Sequence, residues 1–261
     1  MKLPASRLFF NIYDSLIFFK EGDPNTFVPQ LALEVPSTEN GGISGDGRIY
    51  RFVIRPDVRF HNGALLNAED VAYTFQRSIL QGGSNSPQWL FTEPLLGVGV
   101  YDVAQLVDPE LVDKPDELID LGEAEPSKLE QVCLNVKEAI QADNPSRTVT
   151  FRLAQPFAPF LSLMATGYGS IQSKEWVIEN GGWDGDCATW QQYYGRSYEQ
   201  INQTPLGASA MGTGPYMLKK WEFGKEIVLQ ANESYWRREP AWPGACLLYT
   251  SDAADDLLCV D

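Results

Sequence analysis

The chain has 261 residues, 44% hydrophobic and 21% charged. That is the profile of a globular protein of one large or two smaller domains, long enough to bury a core without staples. Its formal net charge of -15 argues against a nucleic-acid partner, because a phosphate backbone needs a basic footprint. No apolar run approaches the roughly 20 residues of a membrane-spanning helix. The opening MKLPASRLFFNIYDSLIFF is broken by Pro4, Arg7, Asn11 and Asp14, unlike a secretion signal.

In chain order, IYDSLIFF (12–19) reads as a short helix or strand running into a Gly/Pro/Asn stretch. STENGGISGDG (37–47) is turn chemistry, and IYRFVIR (49–55) alternates as a strand should. The spacing lets VRF (58–60) pair back on that strand across Pro56-Asp57. His61-Asn62-Gly63 follows, and Asn-Gly is a strong tight-turn signal. This places His61 beside the turn and exposed. Asn67 then caps a helix, with Asp70 reaching back to the cap and Val71, Phe75 and Ile79 on one face. Residues 101–130 are strongly acidic and read as a solvated surface insertion. TVTFRL (148–153) reads as a strand, FLSLMA (160–165) and SKEWVIENGG (173–182) as helices. GTGPYMLKKW and EIVLQAN read as two strands about Gly224.

Catalytic chemistry finds little purchase. His61 is the only histidine, and nucleophilic catalysis by Ser or Cys usually needs such a base. GYGSI (167–171) does not match G-x-S-x-G, and GTGP (212–215) lacks the rest of a phosphate loop. Asp184 and Asp186 have D-x-D spacing without the remainder of a calcium loop. The four cysteines have no CxxC spacing, and one histidine cannot complete the usual zinc sets. Their spacing leaves open whether any pair is bridged. Trp89, Trp183, Trp190, Tyr193 and Tyr194 lie in loop-like surroundings. Such rings either line a ligand cleft or pack loops onto the core, and packing is the favoured reading for any single one.

The ordered motifs point to a family. IYDSL, FVPQLA and DGRIYRFVIRPDVRFHNGALLNAEDVAYTF resemble the N-terminal signature of the extracytoplasmic solute-binding proteins of peptide and nickel ABC importers. GTGPYMLKKWEFGKEIVLQANESYW resembles the second signature, with P-F-x-P-F-L between the two. LALEVP (31–36) departs from the family, which usually carries a tryptophan there. The resemblance implies an α/β fold with mixed sheets, of the periplasmic-binding-protein-like II type. It implies 1–15 and 172–245 as parts of domain I, 16–171 as an inserted domain II, and a third domain absent from this chain. It further implies a monomeric non-enzyme without cofactor or metal, outside the cytoplasmic membrane, free or lipid-anchored. Such a protein holds a peptide or other small solute and delivers it to an ABC permease. By position, Trp89, Tyr168, Ser6 and Arg7 fall where the family faces its ligand, and the HNG turn is scaffold. The competing reading is a secreted glycan-active hydrolase, suggested by the acidic, Trp-rich loops.

The tail, CLLYTSDAADDLLCVD (246–261), matches the in-frame translation of a transposon-end sequencing adaptor, so it is expected to be an artefact. Cys246 and Cys259 would then leave the cysteine count.

Overall fold

The computed structural model describes residues 5–82, 89–111, 120–222, 225–237 and 246–250. Helix α1 (Ala5–Ile12) leads into a hairpin of β1 (Ile17–Lys20) and β2 (Asp23–Pro29). Strand β3 (Ile49–Val53) is followed by helices α2 (Ala68–Leu80), α3 (Trp89–Leu96), α4 (Ala104–Val107) and α5 (Pro126–Ala139). Strands β4 (Ile140–Asp143) and β5 (Thr148–Arg152) come next, then α6 (Phe160–Met164), α7 (Lys174–Glu179) and α8 (Tyr198–Asn202). The remaining strands are β6 (Tyr216–Glu222), β7 (Glu226–Ala231) and β8 (Cys246–Thr250). The sheets are antiparallel, in the orders β1-β2, β3-β5-β4 and β6-β7-β8. No helix among the described residues is long and apolar enough to cross a membrane.

The alternation read in 49–55 and 148–153 is what buries the central sheet. Tyr50, Phe52, Val149 and Phe151 turn inward, and α2 and α5 cover them. Phe151 sits at the middle, its ring 5.8 Å from Phe52, 5.1 Å from Phe75 and 5.6 Å from Phe160. These edge-on contacts suit the quadrupole of aromatic rings. On α2 the expected face holds, with Val71, Phe75 and Ile79 all fully buried. Its start carries the full capping box: Asn67 accepts from the Glu69 and Asp70 amides, and Asp70 accepts from Asn67. The other Asp70 oxygen accepts the Lys174 amide at 2.9 Å. One carboxylate thereby joins the starts of α2 and α7.

Three sequence readings need correction. VRF does not pair back on β3, because β5 pairs along one edge of β3 and Leu33, Gly42 and Ser44 bond to the other. Instead Val58–Phe60 closes on Ala64–Leu66 through the Asn62-Gly63 turn, with Gly63 at φ 87°. The acidic stretch is not simply a solvated insertion. Val103, Ala104, Val107, Leu121 and Leu129 are buried, so their spacing anchors the segment; Asp102 is buried with them, while Glu110, Asp120, Glu123, Glu125 and Glu130 are exposed; residues 112–119 lie outside the described set. His61 is half-buried rather than exposed, because the glycine segment 212–214 lies against its turn.

The loop aromatics resolve mainly toward packing. Trp183 is buried, stacked on Tyr73 with ring centroids 5.6 Å apart. Trp190 is fully buried and its indole donates to Leu129 O at 2.9 Å. Tyr194 donates to Asp102 at 2.9 Å. Cys133 of α5 and Cys187 of this loop form a disulfide, Cα atoms 5.4 Å apart and 54 residues apart in sequence. The loop is thus held to α5 by a covalent link, ring burial and a buried indole hydrogen bond.

One apolar cluster runs from Leu16 to Tyr194, and a smaller one joins Ile12, Tyr216, Leu229 and Ala231. Within the tail, Cys246–Thr250 adds a strand to the β7 edge. An open edge offers unpaired backbone groups to any strand-prone sequence such as LLYT. Residues 251–261 lie outside the described set.

Closing a long loop removes much entropy from the unfolded chain. Replacing both Cys133 and Cys187 with alanine is expected to lower unfolding stability by about 2–4 kcal/mol in urea denaturation. An unchanged midpoint would show that the bridge contributes nothing.

Candidate functional site

The two signature regions meet at one side chain. Asp14 is buried, 3% exposed. Its carboxylate accepts hydrogen bonds from Thr213 Oγ1 at 3.0 Å, Tyr235 Oη at 3.0 Å and Trp236 Nε1 at 2.9 Å. The Asp14 carbonyl accepts from the Ile171 amide at 3.0 Å. IYDSL, GTGPY and NESYW therefore converge through their polar members. Burial pushes the Asp14 carboxyl above its ordinary pKa, while Trp236, Thr213, Tyr235 and the charge of Arg237 pull it back. Tyr235 is raised in turn, first by burial and then by Asp14.

The GTG segment can sit here only as glycine. A Cβ on Gly212 would run into the Ile12 carbonyl, and one on Gly214 would come within 2.6 Å of the Ile12 carbonyl carbon. The backbones touch instead: the Gly214 amide donates to Ile12 O at 2.9 Å, and the His61 amide donates to Gly212 O at 3.0 Å. Asn232 is buried and donates from Nδ2 to Gly214 O at 3.1 Å. Its sequon is thus occupied by a structural bond. Tyr13, next to Asp14, is pushed up to about 12 by burial. Arg55 lies 5.0 Å over the Trp236 ring. Arg147, held at φ 55°, donates to the carbonyls of Ile54, Arg55 and Leu66. Three hydrogen bonds offset a backbone conformation that L-residues rarely adopt.

The residues assigned by resemblance stand apart from this junction's polar bonds. Trp89 opens α3 and is 52% exposed; the helix packs chiefly on α5 and α2. Tyr168 occupies a one-turn helix at Gly167–Gly169 and is 53% exposed. That turn rests on α1, where Phe9 and Phe10 are also exposed. Ser6 and Arg7 lie on α1, and their side chains fall outside the described residues. The structure therefore groups Tyr168 with the helix carrying Ser6 and Arg7, and holds Trp89 on a separate helix. Exposed rings on a fixed scaffold can stack on a planar ligand group.

Two open clefts lie elsewhere, of about 500 Å³ between α2, β4 and Lys137, and about 370 Å³ between Phe60, Leu65 and α7. Neither is lined by Trp89 or Tyr168. Among the described residues no three His, Cys, Asp or Glu side chains gather as a metal site. In the D-x-D loop, Asp184 accepts from the Asp186 amide and Thr189, which closes a local turn. Asp14 and His61, the polar residues most central to the motifs, are both engaged in holding backbone and neighbours. Among the described residues, the central acid and the histidine of the motifs are thus taken up by internal bonds, and Trp89 and Tyr168 stay exposed.

Residues 26–258 match the family described as bacterial extracellular solute-binding proteins, family 5 Middle, and the chain belongs to that family. It is 30% identical over 247 residues to the probable ABC transporter periplasmic-binding protein SapA of Escherichia coli K12, covering 88% of this chain and 33% of that protein. It is 26% identical over 249 residues to di/tripeptide-binding protein 2 of Pseudomonas aeruginosa UCBPP-PA14, covering 92% and 36%. Among solved structures, the peptide-binding pheromone receptor PrgZ shares the fold with a TM-score of 0.56 at 16% identity, over 90% of this chain and 36% of that one. The dipeptide-binding protein of Pseudoalteromonas sp. SM9913, in complex with Met-Leu, gives 0.54 at 20%, over 94% and 38%. The chain thus spans about a third of the length of these relatives. They are solute-binding proteins rather than enzymes, and they lend the hydrolase reading no support.

Replacing Asp14 with alanine leaves three donors facing a void. The expected loss is about 3 kcal/mol of unfolding stability, since each stranded buried donor costs on the order of 1 kcal/mol or more. A loss below about 0.5 kcal/mol in urea denaturation would contradict the role given to the carboxylate.

Proposed function

We propose that this chain is part of the solute-binding component of an ABC importer. It captures peptides or related small solutes outside the cytoplasmic membrane, as a monomer and without a cofactor, and presents them to the membrane permease. One observation carries the reading. Asp14, His61, Thr213 and Tyr235 of the signatures are engaged in internal hydrogen bonds, while Trp89 and Tyr168 remain about half exposed on ordered elements. Such a surface binds without reacting. The named functions of the relatives support a peptide as the ligand. The Cys133–Cys187 disulfide supports an oxidising compartment, where such bonds persist. A place outside the cytoplasmic membrane, free or lipid-anchored, is part of the same reading, as are Ser6 and Arg7 as ligand contacts and the two-domain division at 15/16 and 171/172.

The test is calorimetric titration of the full-length gene product with a panel of di- and tripeptides. Alanine at Trp89 or at Tyr168 is expected to weaken binding about tenfold, equivalent to about 1.4 kcal/mol, without lowering the melting temperature. Unchanged affinity in both variants would remove these rings from the site. No binding of any peptide by the unsubstituted protein would overturn the ligand class.

A further inference from the structure

The two ring nitrogens of His61 have opposite surroundings. Nε2 lies 3.0 Å from Gly214 O. A carbonyl only accepts, so Nε2 carries the proton. Nδ1 is buried, and no partner among the described residues reaches it. The imidazole stands between the Asn62-Gly63 turn, which belongs to the larger core, and the segment that enters β6. We propose that His61 is a pH-sensitive latch. While neutral it clips the turn to Gly212–Gly214, and on protonation it releases the β6–β7 unit to open locally from the larger core. The latch is independent of which solute the protein binds.

The physical case rests on where a second proton would go. It would sit on Nδ1, as a buried N–H with no acceptor. Lys219 of β6 is the charged neighbour that acts on the ring, and it has the same sign as an imidazolium. On the turn's own side, Arg59 is a further cation, held by Gly63 O at 2.7 Å. Beyond the glycine segment, the Asp14 carboxylate is taken up by Thr213, Tyr235 and Trp236. No carboxylate among the described residues is shown acting on the ring to stabilise its charge. Burial, and then Lys219, accordingly hold the His61 pKa below its ordinary value, against the pull of Gly214 O.

The sign follows from linkage. In the open junction the ring is solvated and titrates near its ordinary value of about 6.5. Below that pH the open form takes up a proton that the closed form refuses. Opening is favoured by up to about tenfold per pH unit until the closed ring also protonates. Asp14 works in the opposite direction, since its raised carboxyl pKa favours the closed form once the pH falls far enough to protonate it.

Two measurements on the 261-residue chain test the latch. With a single histidine, ¹⁵N NMR of the imidazole reads His61 without assignment ambiguity. Native-state hydrogen exchange at pH 7.5 and 5.5, corrected for intrinsic rates, reads opening of Gly214 and the β6–β7 amides. The ring is expected to titrate below 6.5. Protection is expected to fall between pH 7.5 and pH 5.5 in the unsubstituted chain, by no more than about tenfold per pH unit. It is expected not to fall in His61→Gln, whose amide donates to Gly214 O without titrating. A ring pKa at or above 6.5 overturns the latch, even if the variant does not fold. An equal loss of protection in both proteins, or no loss in either, also overturns it.

Discussion

A buried carboxylate imposes the strictest condition on this structure. Taking the Asp14 side chain out of water is costly unless donors surround it. Those donors are not local: Thr213 lies 199 residues away, Tyr235 221 and Trp236 222. The start of the described chain, the glycine segment before β6 and the turn after β7 must therefore arrive together. Any alternative arrangement leaves an acid or three donors unsatisfied. The glycines at 212 and 214 extend the same condition to the backbone, since only bare Cα atoms allow the approach to Ile12. His61 and Asn232 then close on the carbonyl of Gly214 from two sides.

This arrangement separates two kinds of residue. Polar members of the motifs such as Asp14, His61, Thr213 and Asn232 are turned inward and bonded. Aromatic residues outside the motifs divide: Trp183, Trp190 and Tyr194 fill the core and carry their own hydrogen bonds, whereas Trp89 and Tyr168 face out. Asp14 and His61 are thus committed to cohesion. The scaffold can still present rings at fixed positions, which is what a binding surface needs.

Local features were legible in the sequence because their physics is local. The Asn67–Asp70 capping box, the buried face of α2, the Asn62-Gly63 turn and the alternation of β3 and β5 each depend on residues within one or two turns or along one strand. The junction was legible only as motif spelling. Nothing in IYDSL says that Asp14 will meet an indole more than 200 residues on, and His61 reads as exposed because it adjoins the Asn62-Gly63 turn. The Cys133–Cys187 bridge was open for the same reason, since spacing alone does not report proximity. Charge misled at 101–130, where acidic residues hid the buried Val103, Val107 and Leu121. Of the proposed ligand residues, resemblance supplied Trp89, Tyr168, Ser6 and Arg7, and the exposure of the first two is the structural observation added to it.

A double-mutant cycle between Asp14→Ala and Tyr235→Phe measures the central junction directly, because each substitution removes the bond between the two side chains and the cycle separates it from the cost of each change. The structure requires a coupling of about 1 kcal/mol or more in unfolding free energy, as for directly bonded buried groups. Additive effects, with a coupling near zero, would mean that Asp14 and Tyr235 are buried together without depending on each other, and the convergence of the signatures on one carboxylate would be wrong.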